Sequence, residues 1–432
     1  MVLDNHSNED DILHLVNTHS PVRPWRSADV PPTHIIGAGP GGLVAAITLA
    51  RLGYSVIIHE KAKKVGSRFN EDFQGLDNWT LGRTVPHFLD ALHIRENFRC
   101  VPYYGGDFFG PDNRRRHITT REPLFYLIKR GADAESLDRG LLQQALDFGA
   151  EIQWGEGMQS LPPKPVIVGT GPKAADAIAK GYTFSTDHPD YCAGFLDNRI
   201  APKAYAYLLV NQGRGTFATC MFTDFHNVNH YFKRAVERLH RLVEIEITKP
   251  TEFGGYINFF LDRPKGNTRG IYYVGENNGF QDALWGFGLK YAMFSGHLEA
   301  LSIISGESYQ TLCQRWIEPS IRSSLANRWI WAHLGNTGYR KMLDWVGDSQ
   351  HPFEILRNKF QNSMSKKILY KIARRWYHTR RVDEACAHDY CDCVWCRCER
   401  RRTTNSYQQN SAPRLNRSEA GIQSLTPVVN GE

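Results

Sequence analysis

Short apolar runs alternate with a helical stripe near the start of the chain. Residues 33–36 form an apolar run of strand length, and a second run covers residues 55–59, just after Gly53. Between them, four apolar side chains recur at the spacing of one buried helix face, namely Leu43, Val44, Ile47 and Ala50. The order strand, helix, strand predicts a βαβ unit and therefore a parallel sheet.

The turn between the first strand and the helix carries three spaced glycines. Gly37, Gly39 and Gly42 give the pattern G-x-G-x-x-G. In dinucleotide-binding turns the first glycine permits the turn, the second lets the backbone approach the pyrophosphate, and the third lets the helix pack on the strand. Glu60 ends the second strand, where an acid accepts hydrogen bonds from the ribose. These features predict a dinucleotide site.

A second glycine-rich segment lies more than two hundred residues further on. An aromatic strand over residues 271–274 leads into Gly275 and Glu276, and Gly286 and Gly288 then open a helix. Here the chain resembles the flavoproteins of the para-hydroxybenzoate hydroxylase fold, and within them the geranylgeranyl reductase family. The resemblance implies FAD, with the helix N-terminus aimed at the flavin ring.

In that family the strand end carries Gly-Asp, whose carboxylate holds the ribitol, and Glu276 stands at the place of this Asp. Asp282 matches the acid of an Asp-Pro motif, although Ala283 replaces the proline. Arg68 and Arg130 lie where the family places basic residues near the cofactor; a solvated surface arginine is the other interpretation. The cofactor-binding residues implied by the resemblance are Gly37, Gly39, Pro40, Gly42, Glu60, Lys61, Arg68, Arg130, Gly275, Glu276, Asp282, Gly286, Phe287 and Gly288.

The segment that begins at Pro202 is similar to the hairpin that lines the substrate cavity of geranylgeranyl reductases. Tyr205 and Tyr207 alternate along a strand and so lie on one face. Packing in a core explains this pair as well as contact with a ligand does. Together with Trp285, they are our candidate substrate-binding residues.

The resemblance implies an FAD-dependent oxidoreductase that reduces carbon–carbon double bonds of an isoprenoid or a related lipophilic substrate, with NAD(P)H as electron donor. A flavin monooxygenase acting on a hydrophobic substrate is the alternative, and a scaffold that keeps the flavin fold is a third class. The sequence does not identify the catalytic proton donor. His297, Tyr291 and Cys220 are available by residue type.

The expected architecture is an α/β fold: an FAD-binding Rossmann-like three-layer domain, an inserted antiparallel-sheet substrate domain and a helical C-terminal cap. We expect a flexible N-terminal arm over 1–30 and a disordered tail over 403–432. The remaining boundaries are as follows: FAD domain 31–90, 120–182 and 265–305; substrate domain 91–119 and 183–264; helical cap with a basic, Cys-rich segment 306–400.

Composition and charge indicate which classes of partner the chain binds and where it is located. Of 432 residues, 41% are hydrophobic, yet no apolar run reaches the eighteen or so residues that cross a bilayer. The first thirty residues are polar and acidic, unlike a signal peptide. The net charge of +7 comes from residues 357–402, which alone carry +8. We therefore expect a cytoplasmic protein that binds a lipophilic small molecule and no nucleic acid, with a location peripheral to a membrane as the alternative.

The basic segment contains a helical pattern over residues 365–381. Ile368, Ile372 and Trp376 recur every four residues, while lysines and arginines occupy the other faces. Such a helix suits peripheral contact with an anionic membrane. A C-terminal helix that packs its apolar face on its own domain is the competing interpretation.

Five of the nine cysteines crowd into the end of this segment: Cys386, Cys391, Cys393, Cys396 and Cys398. Four thiolates at short range, with His388 nearby, are suitable ligands for zinc or an iron–sulfur cluster. Acylation next to the flanking arginines and a redox-sensitive tail are two further interpretations.

Overall fold

The computed structural model describes residues 31–155, 162–172, 175–259, 270–361 and 363–383. These residues form fifteen strands: β1 (Thr33–Ile36), β2 (Val56–Glu60), β3 (Phe73–Asp77), β4 (Cys100–Tyr103), β5 (Gly105–Phe109), β6 (Arg115–Thr119), β7 (Phe125–Lys129), β8 (Glu151–Trp154), β9 (Val166–Val168), β10 (Ala177–Ser185), β11 (Tyr191–Phe195), β12 (Ala206–Asn211), β13 (Arg214–Met221), β14 (Thr248–Ile257) and β15 (Ile271–Tyr273).

The same residues form nine α-helices. They are α1 (Pro40–Arg51), α2 (Val85–Ala91), α3 (Leu137–Asp147), α4 (Val228–Leu242), α5 (Leu289–Ser305), α6 (Tyr309–Trp316), α7 (Glu318–Gly347), α8 (Pro352–Phe360) and α9 (Met364–Asp383).

A five-stranded parallel sheet forms the base of the cofactor half, in the order β15-β9-β1-β2-β8. β1 pairs with β2 from Thr33 opposite Val56, as the βαβ pattern predicts. Helix α1 is buried from Gly41 to Ala50 because it packs between the sheet, α3 and α5. Its small and aliphatic side chains allow this close packing, and the predicted Rossmann-like fold is confirmed.

A seven-stranded sheet covers the cofactor half, in the order β14-β10-β13-β12-β11-β5-β6. The expectation of an antiparallel sheet needs one correction, because β11 pairs with β5 in parallel. The boundary expected at residue 182 lies inside β10. A small third sheet, β3-β7-β4, pairs residues 100–103 with strand β7 of the cofactor half, although we expected them in the substrate domain. Local patterns do not encode these long-range pairings.

Helices α6 to α9 form the expected C-terminal cap as far as residue 383. Gly335 adopts φ 60° and kinks the long helix α7. Helix α9 packs on α7 through the buried Ala373 and the half-buried Tyr370. Among the described residues, no helix combines the length and the apolar character that a membrane span requires. The five clustered cysteines, the N-terminal arm and the tail lie outside the described residues.

Candidate active site

A single cavity of about 1450 Å³ lies between the parallel sheet, the seven-stranded sheet and the cap helices α7 and α8. It extends from the turn after β1 to a chamber of aromatic and aliphatic side chains. Most of the residues predicted to bind cofactor or substrate line it: Gly37, Gly39, Pro40, Glu60, Lys61, Arg68, Arg130, Gly275, Glu276, Gly286, Phe287, Gly288, Tyr205, Tyr207 and Trp285. Gly42 and Asp282 do not.

The three glycines of the β1–α1 turn have different surroundings. Gly37 adopts φ +99°, and a Cβ there would lie 2.7 Å from the Gly169 carbonyl oxygen. A Cβ on Gly42 would lie 2.2 Å from the carbonyl oxygen of Gly37, so Gly42 is required for packing. At Gly39 the nearest atom would be 3.6 Å away, and φ is −83°. Nothing in the fold itself therefore requires glycine at position 39, which borders the cavity.

The N-terminus of α1 begins at this turn, and no side chain caps it. Its amide groups and the helix dipole make the cavity wall beside Gly39 suited to an anion such as a pyrophosphate. Glu60, at the end of β2, accepts hydrogen bonds from the amides of Ala38 at 2.8 Å and Ala62 at 2.9 Å. These bonds fix its carboxylate at the edge of the cavity, where a ribose could bind it.

Arg130 lines the middle of the cavity and is almost completely buried. Its guanidinium donates two hydrogen bonds of 2.9 Å to Asp138, in the first turn of α3, and one to Gln74. It also lies 3.9 Å from the centre of the Phe69 ring, which Arg68 approaches as well. Arg130 is therefore not a solvated surface side chain, which was the alternative interpretation, whereas Arg68 borders the cavity with an exposed side chain.

Glu276 follows β15 in a short 3-10 helix, and its side chain is half-buried at the cavity wall. Burial raises the pKa of this carboxyl group to about 7, while the charges of Arg68 and Arg130 act in the opposite direction. Gln281 donates a hydrogen bond of 3.0 Å to it. Sequence reasoning did not identify Gln281, which had no recognisable motif. The cavity wall therefore carries a carboxyl group whose pKa is close to neutral pH.

Asp282, predicted to bind the cofactor, is not among the residues that line the cavity, and it shapes the turn that precedes α5. It accepts hydrogen bonds from the amides of Leu284 and Trp285 and from the hydroxyl of Ser324. Burial raises the pKa of this carboxyl group to about 6. Asp282 therefore affects the site indirectly. The turn that it holds brings residues 286–288 to the cavity wall.

The N-terminus of α5 opens on the cavity at Gly288, which is the N-cap residue and makes no side-chain cap. A Cβ on Gly288 would lie 2.0 Å from the side-chain oxygen of Gln281, so any other residue there would displace the Gln281 side chain. The positive end of α5 therefore borders the cavity, as the resemblance to flavoproteins implies.

Aromatic side chains line the chamber beyond α5. The hydroxyl of Tyr205 donates a hydrogen bond to the carbonyl oxygen of Trp285. The ring of Trp285 lies 4.5 Å from that of Trp331, which in turn stacks on Tyr339. Tyr207 also lines the chamber. Tyr205 and Tyr207 therefore pack in a core cluster and also line the cavity. Core packing and contact with a ligand are both compatible with these positions.

Cap residues form the far wall of the chamber and were missed from the sequence. Trp331 and Leu334 of α7 line it, together with Leu356 of α8. The aromatic run at residues 329–331 is the one signal that could have drawn attention to this wall, but the hydrophobic pattern of a cap helix does not tell which face meets a cavity.

The three candidates for the proton donor lie in different places relative to the cavity. His297 contacts Thr48 in the helical layer, and Tyr291 hydrogen-bonds Ser320; neither lines the cavity. Cys220 does line it, and burial raises the pKa of its thiol to about 12. Of the candidates named from sequence, Cys220 alone is in reach of a ligand in the chamber.

The residues present fit an FAD molecule. Two helix N-termini without side-chain caps border one continuous cavity, and the open space at Gly39 is where a phosphate would approach. No group of three or more metal-binding side chains occurs within the described ranges. The predicted zinc or iron–sulfur site concerns residues outside those ranges and stays a prediction.

Comparison with known proteins agrees with this arrangement. Residues 35–91 match the family model of an NAD(P)-binding Rossmann-like domain. The digeranylgeranylglycerophospholipid reductase of Methanosarcina acetivorans is 22% identical over 399 residues, which are 78% of this chain and 94% of the relative. The enzyme of the same name from Methanocaldococcus jannaschii is also 22% identical, over 80% of this chain and 95% of the relative.

Solved structures show the same fold. A geranylgeranyl bacteriochlorophyll reductase-like protein from Thermoplasma acidophilum superposes with a TM-score of 0.59 at 16% identity, covering 78% of this chain and 95% of that one. The flavin-dependent brominase Bmp2 gives 0.53 at 13% identity, covering 81% and 99%. These findings confirm the resemblance to geranylgeranyl reductase-like flavoproteins and support an FAD-dependent oxidoreductase.

Proposed function

We propose that this chain is an FAD-dependent oxidoreductase that reduces carbon–carbon double bonds of an isoprenoid or related lipid. The observation that carries the proposal is the continuity of the cavity: the dinucleotide cradle and a long apolar chamber are one space. The two archaeal relatives that match along most of this chain are named as reductases of a geranylgeranyl lipid.

The chain's own residues would hold FAD at opposite ends. The amides at Gly39 would bind the pyrophosphate, and Glu60 would accept hydrogen bonds from the ribose. Glu276 would face the ribitol, and the N-terminus of α5 at Gly288 would face the pyrimidine side of the flavin. When bound, FAD supplies the hydride that adds to one alkene carbon, and NAD(P)H is the proposed source of its electrons.

The chamber would orient the alkene and exclude water from it. Trp285 and Trp331 offer flat apolar surfaces to an unsaturated chain. Burial raises the pKa values of Tyr205 and Tyr207 well above the usual range, so both phenols stay neutral and an apolar ligand meets no charge there. Tyr205 and Cys220 line the cavity and carry protons at the hydroxyl and at Sγ, so either would be available to protonate the second alkene carbon.

A flavin monooxygenase is the second candidate function. The fold is similar to that of a flavin-dependent brominase, which supports this candidate. Both reactions could use the same cavity, because the fold alone does not determine the chemistry. They differ in their need for oxygen and in the mass that the product gains.

An anaerobic turnover experiment distinguishes the two reactions. The FAD-loaded chain is reduced with dithionite without oxygen and mixed with a geranylgeranyl lipid, and the products are analysed by mass spectrometry. We expect a gain of two hydrogens for each reduced double bond, and no product from the same mixture without the protein. A product formed only in air, carrying an added oxygen, would identify the monooxygenase instead. Replacing dithionite by NADPH or NADH then tests the electron donor.

A further inference from the structure

Exposed apolar side chains are concentrated where the cavity reaches the cap. Among the described residues, nine large hydrophobic side chains are prominently exposed, and five of them belong to α7 and α9. With four exposed lysines they form what we term the mouth patch: Ile330, Trp345, Met364, Ile368 and Ile372, with Lys341, Lys359, Lys367 and Lys371.

Part of the mouth patch also lines the cavity. Ile330 is 43% exposed and Trp345 is 53% exposed, yet both border the cavity, together with Lys341 and Lys359. The ammonium group of Lys359 lies 5.6 Å from the centre of the Trp345 ring. The apolar chamber therefore reaches the surface between aromatic, aliphatic and cationic side chains. A polar pore for a water-soluble substrate would not be bordered in this way.

Helix α9 begins beside this opening. Lys366 donates hydrogen bonds to the backbone carbonyls of Asn358, Lys359 and Gln361 at the end of α8, and Asn327 of α7 also donates to the carbonyl of Lys359. Three cap helices thus meet at the residue whose side chain lines the mouth. This junction fixes the start of α9 against the rim.

The basic helix α9 has one packed face and one exposed face. One face of α9 packs on the domain through Tyr370 and Ala373. The neighbouring stripe does not pack: Ile368 is 60% exposed and Ile372 is 50% exposed, each directly after a lysine, Lys367 and Lys371. A stripe of aliphatic residues flanked by lysines matches a helix that lies in the interface of an anionic bilayer.

We propose that the mouth patch docks on an anionic lipid bilayer, so that the cavity opens toward the membrane. The apolar side chains would enter the headgroup region, and the lysines would bind lipid phosphates. The proposal goes beyond the reaction proposed above, because vesicle binding is measured without turnover, and a failure of either proposal leaves the other testable.

Flotation with lipid vesicles tests the charge part of the proposal. The FAD-loaded full chain is mixed with vesicles of phosphatidylcholine alone, or with one third phosphatidylglycerol. We expect binding to the anionic vesicles, and about five-fold weaker partitioning for each lysine removed, hence about 25-fold for Lys367→Gln with Lys371→Gln. The matched control removes two exposed charges from another helix, α4, as Lys233→Gln with Arg234→Gln, and should bind like the unmodified chain.

The apolar part is tested by Ile368→Ser with Ile372→Ser, which should weaken partitioning about ten-fold or more. Leu146→Ser with Phe148→Ser changes exposed apolar side chains elsewhere and should have no effect. Equal binding to both vesicle types, or equal losses in patch and control variants, would overturn the proposal. So would a concentration-dependent dimer, without lipid, that the isoleucine variant abolishes, because a second copy of the chain would then cover the patch.

Discussion

The three spaced glycines of the β1–α1 turn are required for different physical reasons. At Gly37 and Gly42 a side chain would collide with neighbouring backbone, so the fold itself selects glycine. At Gly39 the backbone lies in a region that any residue adopts, and the neighbouring space is the cavity. A ligand that approaches the backbone closely is the remaining reason for glycine at position 39.

Gly39→Val should therefore remove FAD and preserve the fold. The valine side chain would occupy the space of the pyrophosphate and displace it from the amides. Loss of two charge-assisted hydrogen bonds costs about 3 kcal/mol or more, which corresponds to more than about 100-fold weaker binding. The measurement is the flavin absorbance retained after incubation with excess FAD, together with the thermal unfolding of the FAD-free chain.

Gly42→Val is the matched control in the same turn. Its Cβ would overlap the Gly37 carbonyl oxygen, so we expect the FAD-free chain itself to lose stability by about 1–3 kcal/mol or more. If Gly39→Val retains flavin as well as the unmodified chain does, the assignment of the turn as a phosphate cradle is wrong.

At the scale of elements, the sequence predicts what is local. Strands β1 and β2 were predicted within a residue, and helix α1 contains the predicted buried stripe, because a continuous apolar pattern and its turn determine them. The cavity-lining glycines near α5 were reached only through the family resemblance. The pairing of β5 with β11 and the turn-shaping role of Asp282 depend on residues distant in sequence, so no local pattern indicates them.

The ion pair between Arg130 and Asp138 joins β7 to the first turn of α3. Both side chains are buried, and Asp138 also accepts the amide hydrogen of Gly131. Asp138→Asn keeps the shape but removes the carboxylate that binds the guanidinium, leaving only the weaker attraction of Asp72 and Glu276 for its charge. We expect a loss of about 3–5 kcal/mol in the free energy of unfolding, measured by urea denaturation.

The control lies at the other end of the same helix. Asp147 pairs with Arg95, and both side chains are exposed, so Asp147→Asn should leave the unfolding midpoint unchanged. Equal effects of the two substitutions would show that burial does not govern the strength of these pairs.

At the scale of the whole molecule, the cavity exists because three parts of the fold close around it: the parallel sheet, the seven-stranded sheet and the cap. Asp197, just after β11, links the last two. Its carboxylate is fully buried and binds Arg199, Arg238 of α4 and Asn336 of α7. Loss of this carboxylate should loosen the chamber wall as well as the sheet, because Leu196 beside it lines the cavity.

Asp197→Asn should therefore destabilise the chain at neutral pH by about 3–5 kcal/mol, since Arg238 would stay buried without its counterion. As a comparison, Asp344→Asn should cost less, because its partner Arg116 keeps a second carboxylate, Asp112. Urea unfolding of the three proteins at pH 7 gives both differences.

The dependence of the Asp197 effect on pH provides an independent test. Burial alone would raise the pKa of this carboxyl group, but the hydrogen bonds from Arg199 and the charge of Arg238 outweigh burial and lower it below its usual value of 3.8. A lowered folded-state pKa means that the stabilisation is complete above pH 3.8 and disappears as the pH falls through the folded-state pKa. The gap in unfolding free energy between the unmodified chain and Asp197→Asn should therefore be constant from pH 7 to about 5 and shrink in stronger acid. A gap that instead widens in acid would mean that the carboxyl group is neutral in the folded protein and does not form an ion pair with Arg238.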